Sequence, residues 1–421
     1  MQYKLLYDKV MKSVVVKNMF SLGLVQLANY VIPILIIPFV TRALGVDAFG
    51  KASYAQNIVT YFTILVNYGF EYSATQDIAV NRNDLKKVNV IFWTVIRFKV
   101  ILLLLSFFIM GILSFWFEKV EEDKILYFYA MLINVGFVFF PTWFFQGMEK
   151  MARMAVFNFV IKFLGAIFTV LLISVPSDYR LYILILSLSY VLVGIGSFFY
   201  VLNHYNLWHI EKNKIESIVV IKKGFPIFIN NVFVSFYNVI GLTVIGLYLS
   251  DIEIGLYSGA HKLISAIIFL SVAPISMSIF PKMSRMFNEN RYEAISFFKK
   301  ILLISLGLGF FIAIGVYFCS PILVDVLLGE EFVDSVLILR WMLFLPLLVL
   351  VATLMTVQGL YGLQLQKVVP FVGLFCGSVS LGLSFVLIPK IGVYGAIVAW
   401  CAAQFFEILI DGILLFRKIK C

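Results

Sequence analysis

Two stretches, "VILLLLSFFIMGILSFWF" (100–117) and "ILLISLGLGFFIAIGVYF" (301–318), each run eighteen residues without a charge, and similar runs recur from one end of the chain to the other. As α-helices rising 1.5 Å per residue, runs of about 20 residues cross the roughly 30 Å hydrocarbon core of a bilayer. Soluble globular folding is excluded. The chain is 62% hydrophobic and only 13% charged, against about 25% charged in an ordinary soluble domain. A transmembrane β-barrel is a poor fit, because barrels are built from roughly 10-residue alternating segments.

Hydropathy places twelve helices near 14–41, 51–73, 97–117, 125–146, 154–175, 181–202, 225–249, 256–280, 300–324, 334–360, 368–388 and 392–416. The longest connection, about 203–224, leaves no extramembrane domain for separate chemistry. Cys319, Cys376, Cys401 and Cys421 form no disulfide framework, and no cleavable leader pattern is present.

Lysine and arginine sort the connections by side. One side, with both termini, holds 22 of the 33 basic residues and the other holds 6, while 12 acids gather on the basic-poor side. Both termini are therefore expected in the cytoplasm. The +10 net charge is a signature of topology, not of nucleic-acid binding. On this map Glu71 lies about 30 Å into helix 2, at the cytoplasmic mouth, as an interfacial carboxylate or an inner gate.

"GKASYAQNI" (50–58) and "GLYSGAHKL" (255–263) share Gly, Ser and Ala in register, each opening the helix after the first hairpin of its half. The repeat predicts two six-helix lobes, 1–209 and 210–421, a recurring transporter plan with the substrate site where the lobes meet. By the same pairing, helix 3 begins at Arg97 and Lys99 and helix 9 at Lys300. Residues 83–96 are then expected along the interface, with Lys99 and Lys300 snorkelling to the headgroups.

No enzyme signature is present. His204, His209 and His261 lack metal-ligand spacing, and there is no Walker loop or HExxH. Polar residues inside spans stand out instead. A Lys or Arg at mid-helix costs about 2.5–3.5 kcal/mol to insert, so it should face protein or a wet cavity. Lys162, Lys262 and Arg340 meet that condition. Asn158, Lys162, Gly165 and Thr169 form a polar stripe on one helix face. Asn231 and Asn238 lie seven apart, with Asn230 and Tyr237 beside them, and Gln404, Glu407 and Asp411 mark a third face. Each stripe is open to a second reading as interhelical glue. Prolines inside helices 1, 4, 8, 10 and 11 suit bent spans on a cleft.

"IPFVTRALGVDAFGKASYAQNIVTYFTILVNYGFEYSATQDIAVNRND" (37–84) resembles the bacterial O-antigen and capsule flippases of the polysaccharide-transport family. The resemblance rests on Thr41-Arg42-x-Leu-Gly, Gly50 with Ser-Tyr-Ala, and Gly69-Phe70 with Ala74-Thr75-x-Asp-Ile-Ala79. "SPILVDVLLGEEFVDSVLILRWM" (320–342) and "LIPKIGVYGAIVAW" (387–400) resemble later segments shared across the multidrug/oligosaccharidyl-lipid/polysaccharide exporter superfamily. Gln76 departs from the basic residue common there.

The resemblance implies a MATE-like all-α fold at the inner membrane. It implies flipping of undecaprenyl-diphosphate-linked oligosaccharide repeat units by alternating access, without a cofactor. A diphosphate needs cations inside the bilayer and a glycan needs amide partners. Arg42, Lys162, Lys262, Arg340, Asn158, Asn231 and Asn238 are the substrate-binding candidates. Glu71, Glu407 and Asp411 are candidates for a gate or for H+ or Na+ coupling. The expected partners are the lipid-linked substrate, membrane lipids and the polysaccharide polymerase machinery, around a monomer that binds no nucleic acid. The alternatives are a MATE-type multidrug antiporter, against which the basic interior weighs, and a membrane polymerase or glycosyltransferase, which usually carries a large outer loop.

Overall fold

A computed structural model describes residues 14–420 apart from 212, 364 and 366; the terminal segments expected in the cytoplasm and the side chain of Tyr237 lie outside the described residues. Among the described residues there is no strand, and eleven helices are long and apolar enough to cross a membrane. The first of them, Val31–Asn81, covers 51 residues, or about 77 Å if straight. It covers the expected span at 51–73 and the second part of the one at 14–41.

Contacts divide the chain into two compact units, Met1–Leu44 with Ala55–Val232, and Gly45–Tyr54 with Phe233–Cys421. The repeat sets its lobe boundary at 209/210; the contact units part between Val232 and Phe233.

α1 (Val14–Asn67) is broken at Gly45, where the chain passes into the second unit, and a φ of 70° there costs little only without a Cβ. The released N–H of Val46 donates to Glu331 Oε2 at 3.3 Å, a bond within the second unit. α1 ends at Asn67, where Tyr68 and Gly69 take φ of 47° and 78°. Then α2 (Phe70–Asn81) begins. The helix expected to run to 73 thus stops short, and Glu71 lies in the first turn of α2, where free N–H groups favour an acid.

α3 (Leu85–Trp116) starts well before the expected 97, with Asp84 accepting from the N–H of Lys87. Residues 85–96 are the first turns of this helix and not a separate segment before it. Val88, Ile91, Phe92 and Val95 are buried in an aromatic core with Phe70, Trp143 and Phe144. Two polar side chains of this stretch are bonded to the connection near 205–213. Asn89 Nδ2 donates to the carbonyl of His209 at 2.7 Å, and Trp93 Nε1 to that of Leu207 at 2.9 Å.

α4 (Glu118–Glu122) precedes α5 (Lys124–Phe139) and α6 (Thr142–Gly147), which are separated at Phe140 and Pro141 because proline lacks the N–H that would continue the helix. α7 (Met151–Leu172) and α8 (Tyr179–His204) follow. α9 (Lys214–Tyr248) begins before the expected 225, which shortens the longest connection to 205–213.

The second unit contains α10 (Asp251–Glu289), α11 (Arg291–Leu327), α12 (Ser335–Trp341) and α13 (Leu345–Thr353). A π-helical turn, Leu354–Leu360, comes next, then α14 (Val369–Ile391) and α15 (Val393–Lys420). The span expected at 334–360 is therefore broken. At its end the N–H of Tyr361 reaches the carbonyl of Thr356 at 3.0 Å, one residue further back than in an α-helix. The repeat glycines meet here. A Cβ on Gly50 would collide with the carbonyl of Asp251, and one on Gly255 with that of Val46.

Candidate functional site

α7 presents its polar stripe to a cleft in the first unit. Lys162 Nζ lies 3.9 Å above the ring centre of Tyr190 from α8. Lys162, Gly165 and Thr169 line the cleft with Pro33, Ser189 and Tyr190. Gly165 allows the close approach, since a Cβ there would strike Ser189 Oγ. One turn away, Asn158 is 1% exposed, and neither of its amide atoms has a hydrogen-bond partner among the described residues.

Lys99 was expected to snorkel, yet it is 1% exposed. Its ammonium donates to the carbonyl of Phe137 at 2.7 Å and to Asn67 Oδ1 at 3.2 Å, and it feels the charge of Glu71. Glu71 accepts from Thr142 Oγ1 at 2.6 and 2.7 Å. The break at Pro141 positions that threonine, and the ends of α1 and α5 supply the two acceptors for Lys99. Lys300 is exposed. Asp77 from the recognisable motif takes Lys223 of α9 at 2.6 Å, so this motif fastens helices together.

In the second unit, Lys262 Nζ lies 4.3 Å above the ring centre of Phe49, which packs edge-on against Phe332. His261 beside it is held between the rings of Tyr257 and Trp400. Arg340 lies over the ring of Tyr317 at 4.7 Å and donates from Nε to Ser320 Oγ at 3.1 Å, fastening α12 to α11.

The acidic stripe on α15 meets the π-helical turn. Thr356 Oγ1 is 2.6 Å from Asp411 Oδ2 and 3.4 Å from Glu407 Oε1, and Gln404 Nε2 is 3.5 Å from Glu407 Oε2. Asp411 is buried, and its Oδ1 has no partner among the described residues. Among those residues no three His, Cys, Asp or Glu gather as a metal site.

The remaining candidates are dispersed. Arg42 is exposed and donates to the carbonyl of Pro38 at 3.3 Å. Asn238 is exposed and donates to the carbonyl of Val234 at 3.0 Å, while Asn231 is half-buried. Sequence reasoning missed Thr356 and Gln358, polar residues visible in the apolar run 334–360. It also missed the network around Lys99.

A model of the polysaccharide biosynthesis protein family matches residues 15–287, more than half of the chain. The chain belongs to the polysaccharide biosynthesis protein family. The match takes in Arg42, Glu71, Asn158, Lys162, Asn231, Asn238 and Lys262 and ends before Arg340, Glu407 and Asp411. This family member is 26% identical over 407 residues to a Shigella dysenteriae protein named for O-antigen transport, covering 94% of this chain and 97% of that one. An Escherichia coli (strain K12) protein of the same name is 24% identical over 388 residues, covering 92% and 93%.

Among solved structures, the family member's fold is similar to an inward-facing MATE family multidrug resistance transporter of the MOP superfamily. The TM-score is 0.72 at 12% identity, over 96% of this chain and 98% of that one. The lipid II flippase MurJ in an inward closed conformation gives a TM-score of 0.68 at 13% identity, over 95% and 87%. At such identities the likeness is one of fold.

Proposed function

We propose that this protein translocates lipid-linked oligosaccharide across the cytoplasmic membrane, and that the lipid is an undecaprenyl-diphosphate carrying one repeat unit of a surface polysaccharide. Transport, not catalysis, is what the names of its full-length relatives support. The observation that carries the substrate reading is the setting of Lys262, whose ammonium rests on a phenyl ring within a span. A cation over an aromatic face gains about 0.5–2 kcal/mol. A phosphate oxygen offers a stronger, charge-assisted bond, so a diphosphate readily draws the ammonium off the ring. Lys162 over Tyr190 repeats the arrangement in the first unit.

Alternating access between two membrane faces is the mechanism we attach to this reading, supported by the MATE-like fold. Asp411 and Glu407 are the acids we assign to coupling with H+ or Na+, with Glu71 at the inner mouth. The protein acts as a monomer beside the polymerase that consumes its product.

Deleting the gene should leave lipid-linked repeat units on the cytoplasmic face and remove the surface polymer. Lys262→Arg should restore export, and Lys262→Ala should not, at equal protein level. Repeat units that reach the outer face without the gene, or full export with Lys262→Ala, would refute the proposal.

A further inference from the structure

The hydroxyl of Thr356 has one proton to give and three acceptors around it. The carbonyl of Ala352 is 3.0 Å away, Asp411 Oδ2 2.6 Å and Glu407 Oε1 3.4 Å, all within the second unit. Were Asp411 a carboxylate, that proton would be its single bond, because Oδ1 has no partner among the described residues and the residue is 1% exposed. The cations of the elements packed on α15 are directed elsewhere. Lys262 and Lys282 of α10 rest on the rings of Phe49 and Phe297, Arg340 of α12 rests on that of Tyr317, and Arg285 and Lys390 are exposed. His261 is held between Tyr257 and Trp400. The titratable groups that face Asp411 are Glu407, one turn back, and Cys376 of α14; α13 and the π-helical turn carry none. A buried carboxylate with one donor and no cation is costly. The neutral acid removes the conflict. Its Oδ2–H donates to Thr356 Oγ1, and the threonine passes its own proton to the carbonyl of Ala352. Oδ1 is then a carbonyl oxygen, which bears dry surroundings better than a charge does.

We propose that Asp411 is a proton-binding site, occupied in this conformation, and that H+ and not Na+ is the ion that drives translocation. The driving role rests on the transport reading; the place of the proton does not. The 2.6 Å separation of Asp411 Oδ2 and Thr356 Oγ1 is that of two oxygens sharing a hydrogen, and an ion between them would need more room. Release leaves a carboxylate and gives the proton to water. Thr356 must then turn its hydroxyl from Ala352 to Asp411. The change falls on the π-helical turn, an irregularity frequent at functional sites.

The test is infrared spectroscopy of full-length protein in lipid nanodiscs at neutral pH. A protonated carboxylic acid has a carbonyl-stretch band that carboxylates lack, and heavy water shifts it. The band should be present in wild-type protein, lost in Asp411→Asn and kept in Glu407→Gln. Thr356→Val removes the acceptor and should move the band to higher frequency, which keeps the test available if Asp411→Asn does not fold. A spectrum unchanged by Asp411→Asn and Thr356→Val, a band lost only in Glu407→Gln, or its loss when sodium is added at constant pH would overturn the proton site. In proteoliposomes a proton gradient should accelerate translocation of undecaprenyl-diphosphate oligosaccharide by wild-type protein and have no effect on Asp411→Asn. Acceleration by a sodium gradient alone would overturn the choice of ion. No translocation under either gradient would refute the transport reading and the driving role, while the band still decides the proton site.

Discussion

At the scale of single residues, the chain buries a lysine where hydropathy expected a headgroup contact. Lys99 stays in the first unit because Asn67 and the open carbonyl of Phe137 receive two of its protons, with the Glu71 carboxylate nearby. That carbonyl is near the end of α5, where Pro141 halts the helix. Lys99→Met leaves both acceptors unpaired and should destabilise the detergent-solubilised protein by roughly 1–3 kcal/mol, read as a lower unfolding temperature. Glu71→Gln keeps an acceptor for Thr142 and should cost less. An unchanged unfolding temperature for Lys99→Met would show that the network contributes nothing. Lys262 contrasts with Lys99, since its contact is an aromatic face that a ligand can replace.

Among the helices, the boundaries follow residues that hydropathy averages away. Gly45, Gly69 and Pro141 break apolar runs that look continuous in a sliding window. The glycines of the repeat have a sharper role than internal symmetry suggests. Gly50 and Gly255 let the start of the second arm of α1 cross the start of α10 at backbone contact. Gly50→Val should therefore abolish accumulation of folded protein, because the atom in its way is a backbone carbonyl. Gly111 in α3 has nothing within 4 Å of a built Cβ, so Gly111→Ala should be neutral or slightly stabilising. Fluorescence-detection size exclusion of the two variants checks this directly. A monodisperse Gly50→Val peak at the wild-type level would contradict the crossing.

For the whole molecule, the class of the fold, its many membrane-spanning helices and the family were legible in the sequence, because a bilayer forces long apolar runs and the motif at 37–84 is distinctive. The site was legible only in part. The stripe of Asn158, Lys162 and Thr169 could be read because its members share one helix. The partners of Lys99 lie 32 and 38 residues away in sequence, and no periodicity connects them. The start of α3 was obscured for a similar reason, since Asn89 and Trp93 look like surface residues until the connection at 205–213 is laid against them. That connection carries the topology prediction. If the 22-to-6 imbalance of basic residues sets the orientation, a reporter enzyme inserted at Asn213 should score as cytoplasmic. A periplasmic signal there would invert the map.

The central claim is translocation of a lipid-linked glycan, and reconstitution tests it most directly. Proteoliposomes are loaded with undecaprenyl-diphosphate oligosaccharide on the inner leaflet, and an impermeant glycosyltransferase added outside reports on arrival. The account predicts protein-dependent modification of the lipid, lost in Lys262→Ala and kept in Lys262→Arg. A rate equal to that of empty liposomes, from folded wild-type protein under imposed proton or sodium gradients of either direction, would contradict it.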